Sequence, residues 1–377
     1  MPFKAFGLSE SLLRALEARG YAAPFPIQTQ ALPPALAGRD LDAVAPTGSG
    51  KTAAFVLPVL QRLGRQALPE RPVRALILVP TRELAAQVGQ AVQQFGQFLP
   101  ERLKGRVVHG GVAINPQMMA LRGGADVLVA TPGRLLDLVS KNAVRLNQVE
   151  ILVLDEADRM LDLGFRDELE RILVQLPTGR QTLLFSATRD PLLDALVRPL
   201  LRDPVVLGAQ AAEVPPDAVQ QRSYLVAKEK KGPLLRHLIQ KGGWERVLVF
   251  VASHWTADNV ARKLNNNGIT AEALHGDKTQ GARTGALSGF RASACQVLVA
   301  TDLASRGLDI EHLPCVINYE LPRSPNDYIH RVGRTGRAGM PGLAISLVAP
   351  EEQAHLNLIE KRLGRRIPQL DSEDMEF

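Results

Sequence analysis

Ile151-Leu152-Val153-Leu154-Asp155-Glu156-Ala157-Asp158 runs from four consecutive aliphatics into three carboxylates within four residues. Four apolar residues without polar alternation read as a parallel strand buried on both faces. The acids then fall where the strand leaves the sheet, the edge at which open α/β folds bind ligands. Carboxylates there suit a magnesium ion and an attacking water. Upstream, Ala45-Pro46-Thr47-Gly48-Ser49-Gly50-Lys51-Thr52 leads into the helix-compatible Ala53-Ala54-Phe55-Val56-Leu57. The backbone amides of Thr47, Gly48, Ser49 and Gly50 are expected to converge on phosphate oxygens, Lys51 to reach the terminal phosphates, and Thr52 to ligate magnesium. The common pattern opens on glycine, where this chain has Ala45. Asp155 is the natural magnesium partner, partly through water, and Glu156 the base or orienter of the attacking water. Asp158 is better placed to signal than to catalyse.

Aliphatic runs alternate with helix-length amphipathic stretches along the whole chain, the pattern of βαβ units and parallel sheets. The first half contains Leu41 to Ala45, Ala75 to Val79, Val127 to Ala130, Ile151 to Leu154 and Thr182 to Phe185; the second contains Val247 to Val251, Ala271 to Leu274, Val297 to Ala300, Cys315 to Asn318 and Ala344 to Val348. Val-Leu-Val-Ala-Thr occurs twice, at Val127 to Thr131 and Val297 to Thr301, an echo that suggests one architecture used twice. Pro215-Pro216 lies in a stretch of small residues with little periodicity, which reads as an extended linker. The expected division is a first domain over 1–208, a linker over 209–218, a second domain over 219–366 and an acidic tail over 367–377.

The 377 residues suffice for two domains with their own cores, and the formal charge of +6 is compatible with phosphate-rich partners. No apolar run approaches the ~20 residues of a membrane helix, so the expectation is a soluble, cytoplasmic protein with no membrane partner. Cys295 and Cys315 lack the nearby ligands of a zinc cluster and read as buried, reduced thiols. Trp244, His254 and Trp255 adjoin the run Val247 to Val251 and read as packing residues.

With these residues the chain resembles the DEAD-box ATP-dependent RNA helicases of superfamily 2. Pro80-Thr81-Arg82-Glu83-Leu84, Gly110-Gly111, Thr131-Pro132-Gly133-Arg134, Ser186-Ala187-Thr188, Gln280 with Arg283, Ala300-Thr301-Asp302 through Arg306-Gly307-Leu308-Asp309, and His330-Arg331-Val332-Gly333-Arg334-Thr335-Gly336-Arg337 match family motifs in family order. The opening, with Phe3, Gly7-Leu8-Ser9 and Gly20-Tyr21, most resembles the bacterial RhlE-like subgroup. The resemblance implies two tandem RecA-like domains, each a mostly parallel sheet flanked by helices, joined by a short linker. It places Phe3 and Tyr21 at the adenine, Gln28 on the adenine edge and Asp309 at the ribose. It makes Ser186, Thr188 and His330 inter-domain couplers with Asp158, and Arg334 and Arg337 the fingers that reach the γ-phosphate, a role commonly worth ~10³ to 10⁵ in rate. Phe25 stands where the family usually has threonine or serine; either a small hydroxyl's hydrogen bond is lost, or backbone geometry does the work there.

Arg82, Gly111, Thr131, Gly133 and Arg134 lie on loops leaving strands of the first half, and Arg283, Thr301 and Asp302 on loops of the second. Amides, hydroxyls and guanidinium groups of this kind hold phosphates and 2′-hydroxyls without reading bases. The preference for RNA comes from the resemblance. It implies a monomer that hydrolyses ATP with Mg2+, closes its two lobes on single-stranded RNA or a short duplex, and takes ribosome-assembly or RNA-decay proteins as partners. Duplex stacking of roughly 1.4 kcal/mol per step, by DNA analogy, makes unwinding local. A slow ATP-dependent RNA clamp or assembly platform is the alternative.

Overall fold

The computed structural model describes residues 2–45, 49–64, 68, 70–188, 191–208, 219–302, 313–336 and 342–371. The expected linker 209–218 therefore lies outside the described residues, as do residues 372–377 of the expected tail. The chain divides into two compact units, Met1–Ala212 and Glu213–Phe377.

In the first unit seven strands form one sheet: β1 (Leu41–Val44), β2 (Ala75–Leu78), β3 (Gly105–Val108), β4 (Val127–Ala130), β5 (Ile151–Leu154), β6 (Gln181–Ser186) and β7 (Val205–Leu207), in the order β3-β4-β2-β5-β6-β1-β7. Every pairing within it is parallel. Alternate residues of each central strand enter two separate cores. Ile77, Val129, Val153 and Phe185 pack with Phe55 and Leu57 of the helix Lys51–Leu63. Leu76, Leu128, Leu152 and Leu184 pack with Leu135, Met160 and Ile172 on the opposite face. This two-sided burial is why the central strands read as unbroken aliphatic runs.

The second unit carries β8 (Val219–Leu225), β9 (Val247–Val251), β10 (Ala271–Leu274), β11 (Val297–Thr301), β12 (Cys315–Asn318), β13 (Gly342–Val348) and β14 (Gln369–Asp371), in the order β10-β11-β9-β12-β13-β8-β14. Its strands are arranged as in the first unit, position for position, again with parallel pairings. The repeated Val-Leu-Val-Ala-Thr falls on β4 and β11, equivalent strands, so the echo marks a real architectural repeat.

The tail expected from residue 367 begins too early. Ile367 is buried, and Gln369–Asp371 pair with β8 as β7 pairs with β1. Backbone pairing alone makes this strand, since its three side chains are all exposed. Cys295 and Cys315 are free and buried, and burial raises both thiol pKa values. Trp244 packs on the second core, but Trp255 is 74% exposed, against the packing expected for it. No described helix is long and apolar enough to cross a membrane.

Candidate nucleotide and RNA site

The C-terminal edge of the first sheet divides into two halves. The neighbours β5, β6 and β1 lead into the acid cluster, Ser186-Ala187-Thr188 and the phosphate loop, while β3, β4 and β2 lead into the loops expected to hold RNA.

On the nucleotide half, Gly50 sits at φ 89° and caps the helix Lys51–Leu63. A Cβ there would lie 2.5 Å from Gln28 Nε2 and 2.9 Å from Phe25 Cδ2, so both the conformation and the space require glycine. Lys51 is buried and donates through Nζ to the Ala45 carbonyl at 2.9 Å. Ser49 and Thr52 are half-buried around it, while Thr47 and Gly48 lie outside the described residues. Asp155 is buried, and its carboxyl is pushed up to about 6, chiefly by loss of solvent, with Lys51 pulling it back part of the way. Its Oδ1 accepts from the Glu156 amide at 3.0 Å. Glu156 adopts φ 51°, a left-handed conformation that strains a residue with a side chain, and its carboxylate pairs with Arg159.

Gln28 is fully buried and bridges two loops: Nε2 donates to the Gly50 carbonyl at 2.9 Å, and Oε1 accepts from the Phe25 amide at 2.9 Å. An adenine edge at Gln28 must therefore compete with these bonds. The Phe25 amide donates to Gln28 while the residue stays 49% exposed, so the backbone at this position holds Gln28 without a side-chain hydroxyl. Phe3 is buried edge-on against Phe6 and Tyr21, and Tyr21 continues to Phe95.

Asp158 joins β5 to β6. Its Oδ2 accepts from Thr188 Oγ1 at 2.7 Å, the Thr188 amide at 2.9 Å and the Ala187 amide at 3.2 Å, and Oδ1 accepts from the Arg159 amide at 3.0 Å. Ser186 Oγ donates to the Thr188 carbonyl at 2.7 Å and so shapes the same turn.

On the RNA half, Arg82 lies against Gly111, where an added Cβ would meet Arg82 Nη1 at 2.6 Å. Thr131 Oγ1 accepts from the Gly110 amide at 3.4 Å, and Arg134 Nη2 donates to the Val112 carbonyl at 2.7 Å. Nothing lies within 4 Å of a Cβ built at Gly133, which leaves its backbone open to approach. The five expected residues thus meet across three adjacent strand ends. Amides, a hydroxyl and guanidinium groups are the donors that phosphate and ribose oxygens accept.

In the second unit, Thr301 ends β11, and its Oγ1 is buried with no hydrogen-bond partner. Arg283 is buried on the helix Gln280–Arg291, Arg334 is buried beyond the helix Pro325–Val332, and His330 is half-buried on that helix. Asp309 and Arg337 lie outside the described residues. Asp302 departs from its expected part as an RNA ligand: both carboxylate oxygens are taken by Arg331 at 2.6 Å, and a carboxylate repels phosphate.

The family model described as DEAD/DEAH box helicase matches residues 25–195, and the one described as Helicase conserved C-terminal domain matches 230–339. The chain belongs to the DEAD-box helicase family. The DEAD-box ATP-dependent RNA helicase CshA of Bacillus cereus is 39% identical over 374 residues, which cover 99% of this chain and 70% of that protein; for Bacillus subtilis CshA the identity is 39% over 369 residues, with 98% and 74% covered. Among solved structures, Saccharomyces cerevisiae Dbp5 bound to RNA and ADP BeF3 aligns at a TM-score of 0.87 and 33% identity, covering 99% of this chain and 96% of that one. A DEAD box protein from Methanococcus jannaschii aligns at 0.58 and 35% identity, covering 98% and 99%.

Two residues of the DEAD-box site were not singled out by sequence reasoning. Arg331 and Arg159 have no distinctive spacing of their own, because each is defined by what it reaches in the folded chain: Asp302 and Glu156 respectively. Locally, each is marked only by its place: Arg331 within the stretch His330 to Arg337, and Arg159 directly after Asp158.

Proposed function

We propose that this chain is an ATP-dependent RNA helicase, an RNA-stimulated ATPase that pries open short duplexes and remodels RNA locally. The observation that carries the reading is the divided edge of the first sheet. Nucleotide loops on β5, β6 and β1 and RNA-type donors on β3, β4 and β2 belong to one parallel frame, so both halves are carried by adjoining strands of a single sheet. The family relatives named for this activity support it.

Magnesium fits the site. Asp155 is a buried carboxylate whose pKa is raised chiefly by loss of solvent, a cost that a bound cation would offset, and Thr52 lies in the first turn of the adjoining helix. Thr52 and Asp155 would hold the ion, which when bound with ATP neutralises phosphate charge. The chain's own residues do the rest. Lys51 exchanges the Ala45 carbonyl for phosphate oxygen, and Glu156 accepts the proton of the attacking water. Asp158 passes the state of the acid loop to Thr188. Arg334 is proposed to reach the γ-phosphate of bound ATP, the finger role that the family resemblance implies.

The test measures phosphate release with RNA and with DNA of the same sequence, alongside opening of a short RNA duplex. RNA should stimulate turnover and duplex opening should require it, and Lys51→Ala should lose nucleotide affinity and turnover together. Equal stimulation by DNA would overturn the RNA assignment. Retention of RNA without duplex opening would replace the helicase by a clamp.

A further inference from the structure

Away from the residues assigned to nucleotide and RNA, one cluster in the second unit combines ligand-type atoms with an unsatisfied buried nitrogen. His254 opens the helix that follows β9, and His275 and Asp277 lie in the loop after β10, on the far side of β11. The two imidazoles stack, with centroids 4.9 Å and planes 21° apart, and His254 Nδ1 meets Asp277 Oδ2 at 2.7 Å. One ligand atom from each of the three residues lies within 4.8 Å of the others. The loop lies close under the His254 ring, where a Cβ at Gly276 would sit 3.4 Å from Cε1 and 3.5 Å from Nε2.

His275 decides what the cluster can do. It is 3% exposed, its Nε2 faces Asp258 Oδ2 at 3.1 Å, and Asp258 is fixed in turn by Lys278 Nζ at 2.8 Å. A carboxylate on Nε2 keeps the proton there, which leaves a lone pair on Nδ1. That atom is buried and has no hydrogen-bond partner. A carboxylate behind one ring nitrogen and a bare lone pair on the other is the support that metal-ligating histidines receive.

We propose that His254, His275 through Nδ1, and Asp277 hold a divalent transition-metal ion, with zinc the best chemical match. Two imidazoles and one carboxylate suit zinc, cobalt or nickel, whereas magnesium and calcium select all-oxygen ligands. Without metal, the His254 Nδ1–H donates to Asp277; with the ion on Nδ1 the ring carries its proton on Nε2 and stays a neutral imidazole. Three protein ligands leave a fourth position for water. Asp277 is exposed and His254 partly so, which gives the ion a route in. Binding ties the start of the helix after β9 to the loop that runs into the helix Gln280–Arg291, the carrier of Arg283. Occupancy therefore stiffens the loop that leads into the helix of Arg283.

The test uses the full chain, free of nucleotide and of any affinity tag. Zinc is titrated by calorimetry and cobalt by visible absorption. The expected result is one equivalent bound, and a cobalt spectrum without thiolate charge-transfer bands. His254→Ala and Asp277→Asn, both at accessible side chains, should each weaken binding by at least roughly tenfold while leaving the fold intact by circular dichroism. No uptake by the unaltered chain, uptake unchanged in both variants, or thiolate bands that assign the metal to Cys295 or Cys315 would each overturn the proposal.

Discussion

Arg331 closes both arms of its guanidinium on Asp302, Nε to Oδ1 and Nη2 to Oδ2 at 2.6 Å each. Its Nη1 donates to Asn318 Oδ1 at 3.0 Å and to the Glu320 carbonyl at 2.6 Å, and its carbon centre lies 4.8 Å from the Phe250 ring. One side chain, 2% exposed, thereby ties together the C-terminal ends of β11, β9 and β12. Asp302 owes its position to this staple, so the residue that organises the second unit's edge need not touch RNA.

Arg331→Ala should therefore cost stability before it costs affinity. A buried ion pair contributes little net, but deleting one partner leaves a buried charge and typically costs ~3–5 kcal/mol. Arg331→Lys should rescue only a small part, because an ammonium cannot reproduce the fork. Both tryptophans of the chain, Trp244 and Trp255, fall in the second unit, so selectively excited tryptophan fluorescence during denaturant unfolding reads this unit alone. An unchanged midpoint for the alanine variant would show that the staple is dispensable.

Thr188→Ala removes the hydroxyl that donates to Asp158 at 2.7 Å but leaves the two backbone amides on the same oxygen. The acid loop keeps its place while its tie to the end of β6 weakens. Turnover should fall less than duplex opening. A coupling loss of ~1.4 kcal/mol corresponds to about a tenfold drop in opening per ATP consumed. Measuring phosphate release and strand separation in the same sample gives the ratio, and an unchanged ratio would count against the coupling role.

Apart from the edge strand β10, the strands legible in the sequence were those buried on both faces, because only they must be aliphatic throughout. β3, β7 and β14 went unread: they sit at or beside sheet edges, and Arg106, Val206 and all of β14 are partly or fully open to solvent. β8 escaped for a related reason, since Val-Gln-Gln-Arg-Ser-Tyr-Leu carries polar residues in its middle although it pairs along its full length with β13. At the site, residues fixed by local spacing, such as Gly50, Lys51, Asp155 and Asp158, were legible. Gln28 bridging to Gly50, Arg331 to Asp302 and His275 to Asp258 were not, because those partners are distant in sequence and meet only through strand order.

Asp155→Asn should stabilise the nucleotide-free chain while abolishing turnover. Burial raises the Asp155 pKa from 3.8 to about 6. The folded state thus favours the protonated form: the associated stability is fully present below pH 4 and is lost as pH rises through 6. Above that, the fold carries an ionised buried acid at a cost on the order of ~2–3 kcal/mol, which asparagine avoids. Melting at pH 7.5 should be higher for the variant, and the gap should narrow toward pH 5. Affinity for magnesium with ATP should fall in the unaltered chain as pH drops through 6. A variant that melts no higher at neutral pH would show that water or Lys51 already compensates the charge.

Glu156→Gln separates the base from the scaffold. The carboxylate pairs with the buried Arg159, and a glutamine oxygen can still accept from that guanidinium, so the loop should hold its shape. What is lost is the capacity to take a proton. Turnover should drop by roughly 10² to 10⁴, the usual contribution of a general base, with nucleotide and RNA affinity close to unaltered. Single-turnover phosphate release and binding of a fluorescent nucleotide measure the two separately. Normal release by this variant would mean that Glu156 serves only to hold Arg159, and the proton would then have to leave through another group at the edge of β5.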